Sequence, residues 1–164
     1  MGMVANIIKQ SLEMTAFCAN SYLEDLSDDD LLIRPIEGAN HIAWQLGHLI
    51  TSEHNLINMV CPGSLPALPT GFSECYTRET SELNDGGAFH TKDEYQKVMD
   101  EQRTGTLAAL DRLSDADFER PAPEQIREYS PTVGATFAMQ ATHWMMHTGQ
   151  WVIVRRKLGR KPLF

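Results

Sequence analysis

The stretch THWMMHTGQWVIVRRKLG, residues 142–159, has the pattern of the last turns of a long helix. His143 and His147 are four residues apart and Gln150 follows three residues later, so the three side chains share one helix face. Apolar residues flank this face, with Met139, Met146 and Ile153 on one side and Trp144 and Trp151 on the other. We therefore expect the histidines to lie in the middle of an apolar face that points into the protein, where they need hydrogen-bond partners or a metal ion.

The spacing of apolar residues predicts three further helices upstream of this one. The four predicted helices cover residues 3–26, 41–60, 91–113 and 132–158. Asn40 is a suitable N-cap for the second helix, and Thr91 and Glu94 form a capping box at the start of the third. Gly159 is the residue expected just after the end of the fourth helix.

Four helices of about twenty residues predict an all-α protein with a four-helix bundle fold. A long irregular loop, residues 61–90, separates the second and third helices and is rich in proline, glycine, serine and threonine. Loops of this length in a compact domain are often functional or mobile. No stretch has the composition of an interdomain linker, so we expect a single domain over residues 1–164.

The overall composition excludes several classes of protein. The formal net charge of −8 does not favour nucleic acid or an anionic membrane as a partner, and no apolar run is long enough to span a bilayer. Three cysteines without a CxxC pair fit a reducing compartment. Lys9 and Glu13 fall where a signal peptide would have its apolar core, so we expect a cytoplasmic protein.

The second predicted helix supplies a candidate for a third metal ligand. His48 lies in the middle of this helix at the border of its apolar face, and His41 lies on the same stripe two turns earlier. His54 is rotated by about 240° from His48 and faces elsewhere, and His90 lies in the long loop. Three histidines and an open position would suit zinc or nickel, but three core histidines with hydrogen-bond partners explain the spacing equally well.

Glu53 lies on the side of the second helix that we expect to be buried, where an unpaired carboxylate is costly. We expect it to pair with Arg34 or another basic group, or to accept a hydrogen bond from a ligand histidine. The sequence contains no GxSxG, GxGxxG, Walker or HExxH motif. The cysteines suggest no nucleophile, since we expect packing for Cys18 and find no pattern around Cys61 and Cys75.

The face of the C-terminal helix opposite the histidines is also apolar. The positions that we expect to point outward are Ala138, Ala141, Met145 and Val152. A helix that is apolar nearly all round is usually buried all round. We therefore expect this helix to contribute to the interface of a homodimer.

Two segments resemble the DinB/YfiT-like superfamily, NHIAWQLGHLITSE at residues 40–53 and HWMMHTGQWVIVRRKLGRKP at residues 143–162. Their order is similar too, with an RP turn, a W-x-L-G-H helix, a long middle loop and then H-x-x-x-H-x-G-Q. HTGQ stands here in place of the commoner HRGQ. The resemblance covers essentially the whole chain as architecture, and it implies a four-helix bundle of up-down-down-up type that is often dimeric.

The resemblance also implies a divalent metal ion held by three histidines, which the matching motifs place at His48, His143 and His147. An ion held by three neutral imidazoles keeps its full charge and can acidify a bound thiol or water. We expect Gln150, on the histidine face, to orient a ligand or substrate. We expect His41 to act as a peripheral acid or base.

Some relatives in this superfamily are transferases or isomerases that use low-molecular-weight thiols such as bacillithiol or mycothiol, and others are metal-dependent hydrolases. The resemblance therefore implies a thiol S-transferase that acts on an electrophilic small molecule. A hydrolase with the same site and a non-enzymatic, metal-binding stress-response protein are the alternatives. The sequence does not decide between them, because the 61–90 loop has no motif that indicates a substrate.

Overall fold

The computed structural model describes residues 2–161 and 163–164, which contain helices and no β-strand. The α-helices in these residues are α1 (Met3–Leu23), α2 (Asp28–Leu31), α3 (Ile42–Val60), α4 (Lys92–Asp111), α5 (Asp115–Phe118) and α6 (Val133–Lys157). Helices α1, α3, α4 and α6 correspond to the four helices predicted from the sequence. The prediction of an all-α protein is therefore confirmed.

Two of the helix caps predicted from the sequence are present in the structure, and a third differs. The capping box of Thr91 and Glu94 is present at the start of α4, and Gly159 has the positive φ of 70° expected after α6. The N-cap of α3 is His41 and not Asn40, because the Nδ1 atom of His41 accepts a hydrogen bond from Trp44 N at 3.1 Å. A neutral imidazole nitrogen thus replaces the side-chain oxygen that usually caps a helix.

Short helices occupy the connections that the sequence leaves irregular. Helices α2 and α5 each have four residues and begin with a capping box, Ser27–Asp30 and Ser114–Asp117 respectively. The 61–90 loop contains 3₁₀ helices at Ser73–Tyr76, Thr80–Glu82 and Gly86–Ala88. The loop is therefore only partly irregular.

The four long helices pack in a closed ring, in which α1 contacts α6 and α4, and α3 also contacts α6 and α4. Helices α3 and α6 run antiparallel, since Gln45 bonds to Trp151 and Glu53, further along α3, bonds to the earlier residue Trp144. Two hydrophobic clusters fill the ring. Trp144 and Trp151 belong to one of them, and Phe137 belongs to the other.

The 61–90 loop packs over the first half of α3. Phe72 and Tyr76 are buried, and the Tyr76 ring lies where a side chain at position 47 would be, 2.1 Å from an ideal Cβ on Gly47. The glycine next to His48 is therefore required for this close contact. The loop covers the helix that carries the first candidate ligand.

The outer surface of α6 matches the prediction at some positions only. Ala138 and Met145 are exposed and Val152 is half-buried, but Ala141 is buried. The outward prediction for Ala141 is wrong, because α1 packs against this side of α6. None of the helices in the described residues is long and apolar enough to cross a membrane.

Candidate metal centre

His48 on α3 and His143 and His147 on α6 come together at the seam between the two helices. The Nε2 atoms of His48 and His143 are 3.3 Å apart. The ring centroid of His147 is 5.5 Å from that of His48 and 5.0 Å from that of His143. One nitrogen from each ring lies within 4.8 Å of the other two, so the structure brings together the three histidines that the motifs indicated.

This arrangement fits a divalent transition-metal ion. Two imidazole nitrogens on a tetrahedral ion, with bonds of about 2.1 Å, are about 3.4 Å apart, and the observed separation of His48 and His143 is 3.3 Å. Among the described residues, no carboxylate or thiol joins the cluster, so an ion held there would keep its full charge. Imidazole ligands suit zinc and nickel, as well as copper and iron, better than they suit magnesium or calcium.

The histidines lie at the edge of the buried face of α6 and not in its middle. Trp144 and Trp151 are buried on one side of the stripe, whereas Met146 and Ile153, on the other side, are 60% and 42% exposed. The prediction of a fully inward-pointing face is wrong, because no described helix covers the methionine side. As a result the cluster is open to solvent on that side, which leaves room for an exchangeable ligand.

Burial keeps all three imidazoles neutral at pH 7. It lowers the pKa of His143 and His147 to about 4, and the neighbouring histidines add to this effect. Burial also lowers the pKa of His48. A neutral imidazole has a lone pair available, so the cluster does not have to lose protons before it binds a cation.

Gln45, which the sequence did not single out, holds His147 in the orientation that a metal ligand needs. Its buried Oε1 accepts hydrogen bonds from Trp151 Nε1 at 2.9 Å and from His147 Nδ1 at 3.2 Å. Because an indole nitrogen can only donate, Trp151 fixes which end of the Gln45 amide is the oxygen. His147 must then carry its proton on Nδ1, which leaves the Nε2 lone pair for an ion.

The nitrogen of the same amide is also bonded. Gln45 Nε2 donates to Asn40 O at 2.6 Å and to Gln150 Oε1 at 3.0 Å. Gln150 therefore lies beside the histidines, and a chain of hydrogen bonds connects it through Gln45 to His147. Its direct role in orienting a ligand or substrate stays a prediction.

His41 is fully buried at the start of α3, and both of its ring nitrogens have partners. Nδ1 accepts from Trp44 N, and Nε2 donates to Leu83 O at 3.1 Å. Burial lowers the pKa of His41, which favours the neutral form that this pattern requires. The ring caps the helix and connects it to the loop. Acid–base catalysis by His41 would require one of these two hydrogen bonds to break, and this role stays a prediction.

The indole ring of Trp44 supports His48, the ligand on α3. It stacks on His48 with ring centroids 5.0 Å apart and an interplanar angle of 8°. Trp44 Nε1 donates to Thr77 O at 3.1 Å and to Thr80 Oγ1 at 3.2 Å, so the long loop fixes the indole. The 61–90 loop thereby helps to position His48 without contributing a ligand.

Glu53 forms a second polar cluster on the same two helices. Its Oε2 accepts hydrogen bonds from Arg103 Nη2 at 2.9 Å and from Trp144 Nε1 at 2.8 Å. Its Oε1 accepts from Thr106 Oγ1 at 2.7 Å. The expected ion pair is confirmed, with Arg103 of α4 in the place of Arg34. The alternative role as an acceptor for a ligand histidine is wrong, because none of the described histidines bonds to Glu53.

The other candidate residues lie outside the histidine cluster. His54 bonds to Gln102 of α4 at 2.9 Å, so it faces away from His48 as predicted. His90 bonds to Tyr76 at 2.5 Å. None of the cysteines belongs to the cluster of described ligands, and all are unpaired and half-buried: Cys18, Cys61 and Cys75.

These features define an all-helical protein with a candidate three-histidine metal site at the seam of two antiparallel helices. The family model of the DinB superfamily matches residues 18–151, which include α3 and both histidines of α6. The chain therefore belongs to the DinB superfamily, and the resemblance seen in the sequence is confirmed. No curated protein matches the chain.

Proposed function

We propose that this protein is a divalent-metal-dependent enzyme that transfers a low-molecular-weight thiol to an electrophilic small molecule. The observation that carries the proposal is the cluster of three neutral histidines, open on one side, in a member of the DinB superfamily. A zinc or nickel ion would supply a Lewis acid that lowers the pKa of a thiol and stabilises developing negative charge.

The role of the protein itself is to position the ligands and to leave one side accessible. Gln45 fixes the proton of His147, and Trp44 holds the ring of His48 by stacking. No cysteine belongs to the described cluster, so the thiol would be supplied from outside the protein, for example as bacillithiol or mycothiol. We also propose a cytoplasmic location, because a reducing compartment suits three unpaired cysteines.

A turnover assay on the metal-loaded protein tests this proposal. Monochlorobimane is supplied as the electrophile with bacillithiol, mycothiol, glutathione or cysteine, and the conjugate is measured by fluorescence and mass spectrometry. We expect thiol-dependent turnover that His143→Ala abolishes and that His54→Ala, a histidine outside the cluster, retains. Cleavage of a p-nitrophenyl ester without any thiol would favour a hydrolase in its place. Full metal occupancy with neither activity would favour a non-enzymatic metal-binding protein.

We further propose that residues 1–164 form one bundle with the up-down-down-up order of helix directions. Lys9 lies 3.8 Å from Asp111, and Lys92 Nζ lies 3.4 Å from Glu24 O, which supports antiparallel α1 and α4. Arg155 near the end of α6 bonds to Tyr22 O in the last turn of α1 and to Asp25 just after it, which supports parallel α1 and α6. Since α3 is antiparallel to α6, α3 and α4 would share the second direction.

A homodimer is also part of the proposal, with α1 and α6 at the interface. Ile7 and Met14 of α1 are each 57% exposed, and Met145 of α6 is 39% exposed. These side chains line a shared groove of about 410 Å³ between the two helices, and apolar surface of this kind favours association. Sedimentation analysis should give a dimer for the wild type and a monomer with unchanged metal content for Met14→Glu. A monomeric wild type would contradict the proposal.

A further inference from the structure

A groove of about 550 Å³ begins at His143 and follows the seam between α3 and α6. On α3 it is lined by Ser52 and Leu56, which lie one and two turns after His48. On α6 it reaches Met139, one turn before His143. Because the two helices are antiparallel, these positions lie on the same side of the histidine cluster. The groove therefore leads away from the candidate metal site in one direction.

The lining of this groove is mostly apolar and carries no fixed charge. Apart from His143, the lining residues are Ser52, Leu56, Tyr129, Met139, Thr142 and Met146. The two methionines are flexible and polarizable, so they can adapt to ligands of different shapes. A carboxylate, phosphate or ammonium group in the groove would lose hydration without gaining an ionic partner.

The size of the groove suits a small organic molecule. Ligand pockets in proteins have volumes of about 300 to 1,000 Å³, and this groove has about 550 Å³. The distance from His143 to Met139 along the helix axis is about 6 Å. A ligand with its reacting group at the histidines would therefore place the next several carbon atoms against Leu56 and Met139.

We propose that this groove binds an uncharged, apolar part of the substrate while the reacting group of that substrate is held at the three-histidine centre. The substrate class is then a neutral molecule with a hydrophobic chain or ring, and not a charged metabolite. The inference rests on the proposed metal site, but it applies to both thiol transfer and hydrolysis.

A series of hydroxamates, which chelate zinc through the same head group, tests the groove in the zinc-loaded protein. Dissociation constants of acetohydroxamate, octanohydroxamate and suberic acid monohydroxamate are measured by calorimetry, with zinc content determined for each sample. A fully buried methylene raises affinity about fourfold, and the groove is open on one side. We therefore expect octanohydroxamate to bind at least about tenfold more tightly than acetohydroxamate, and the terminal carboxylate of the third probe to remove most of that gain.

A charge introduced into the groove should reverse this preference. Met139→Lys places an ammonium group one turn from His143, so the probe with the terminal carboxylate should bind about tenfold more tightly than it does to the wild type. Met145→Lys is the matched control, because Met145 lies on α6 but lines the groove with α1. We expect no change in the preference of this control.

The outcomes separate the groove from the metal site. If the short and long probes bind with equal affinity to protein with full zinc content, the proposal that the groove binds an apolar part of the substrate fails. The proposed metal site is then unaffected. The same change in affinity for the carboxylate probe in Met139→Lys and Met145→Lys would also contradict binding in the groove. Protein that binds neither zinc nor any hydroxamate would overturn both proposals.

Discussion

The seam between α3 and α6 contains two polar clusters, and they differ in how their polar atoms are paired. Around Glu53, both carboxylate oxygens accept hydrogen bonds from buried donors of the protein. Around His48, the Nε2 atoms of two neutral imidazoles face each other at 3.3 Å on the solvent side of the seam. The carboxylate of the first cluster has a donor for each oxygen, whereas the second cluster brings imidazole nitrogens together at a spacing that suits a cation. Buried polar residues thus stabilise the fold in one case and indicate a ligand in the other.

Among the substitutions, the largest predicted effect on stability at pH 7 comes from the closed cluster. Glu53→Leu leaves the buried guanidinium of Arg103 without its partner, which should destabilise the fold by about 3 to 5 kcal/mol. Urea unfolding followed by circular dichroism measures this change. Thr106→Val leaves the buried Oε1 of Glu53 without a donor and should cost about 1.5 to 3 kcal/mol.

The double variant Glu53→Leu/Arg103→Met sharpens this part of the comparison. Arg103 has two buried nitrogens without a partner among the described atoms, Nε and Nη1, so the ion pair leaves part of the cost of burial uncompensated. Replacement of both partners should therefore recover most of the lost stability. A double variant as unstable as Glu53→Leu would contradict a role as a paired structural charge. Metal content should be unchanged in the folded double variant.

A smaller effect is expected at the open cluster from Gln45→Leu. This change removes the acceptor that keeps the proton of His147 on Nδ1, and loss of such a partner typically weakens metal binding by about 10- to 100-fold. Competition with a chromogenic chelator measures the affinity. Gln140→Leu is the matched control, since Gln140 is a buried amide of α6 that bonds to Thr136 O and forms no hydrogen bond with the three histidines. Equal zinc affinities for the two variants would contradict a positioning role for Gln45.

A further prediction concerns the pH dependence of the stability of the metal-free protein. The pKa values of His143 and His147 are about 4 in the folded protein, against about 6.5 in the unfolded chain. Below pH 6.5 the unfolded state therefore takes up protons that the folded state does not, so stability should fall from about pH 6.5 to about pH 4. Urea midpoints across this range should fall less steeply for His143→Leu/His147→Leu than for the wild type. Parallel curves would contradict the neutral, half-buried state of the histidines.

Local spacing was sufficient to predict the long helices and the proximity of His143 and His147. It made His48 only a candidate for the third ligand, which the resemblance to the DinB/YfiT-like superfamily then indicated. Helical periodicity indicates which residues share a face, and the four-residue interval of His143 and His147 fixes their proximity on any helix. The one-turn helices α2 and α5 also had a local signal, the capping boxes Ser27–Asp30 and Ser114–Asp117, which went unrecognised.

The features that the sequence did not predict depend on contacts between helices. Nothing local to Gln45 indicates that its amide meets His147 and Trp151, which are more than 100 positions away. The same holds for the choice of Arg103 over Arg34 as the partner of Glu53. The open side of the site was missed because a helical wheel shows that Met146 is apolar but not whether another helix covers it.

The stoichiometry of metal binding tests the central claim most directly. The purified protein is dialysed against zinc, and the bound zinc per folded chain is measured by mass spectrometry. We predict one ion per chain for the wild type and for His54→Ala, a histidine of α3 outside the cluster, and loss of stoichiometric zinc in His48→Ala, His143→Ala and His147→Ala. Unchanged zinc content in the three cluster variants, or a wild type that binds no zinc or nickel, would contradict the account.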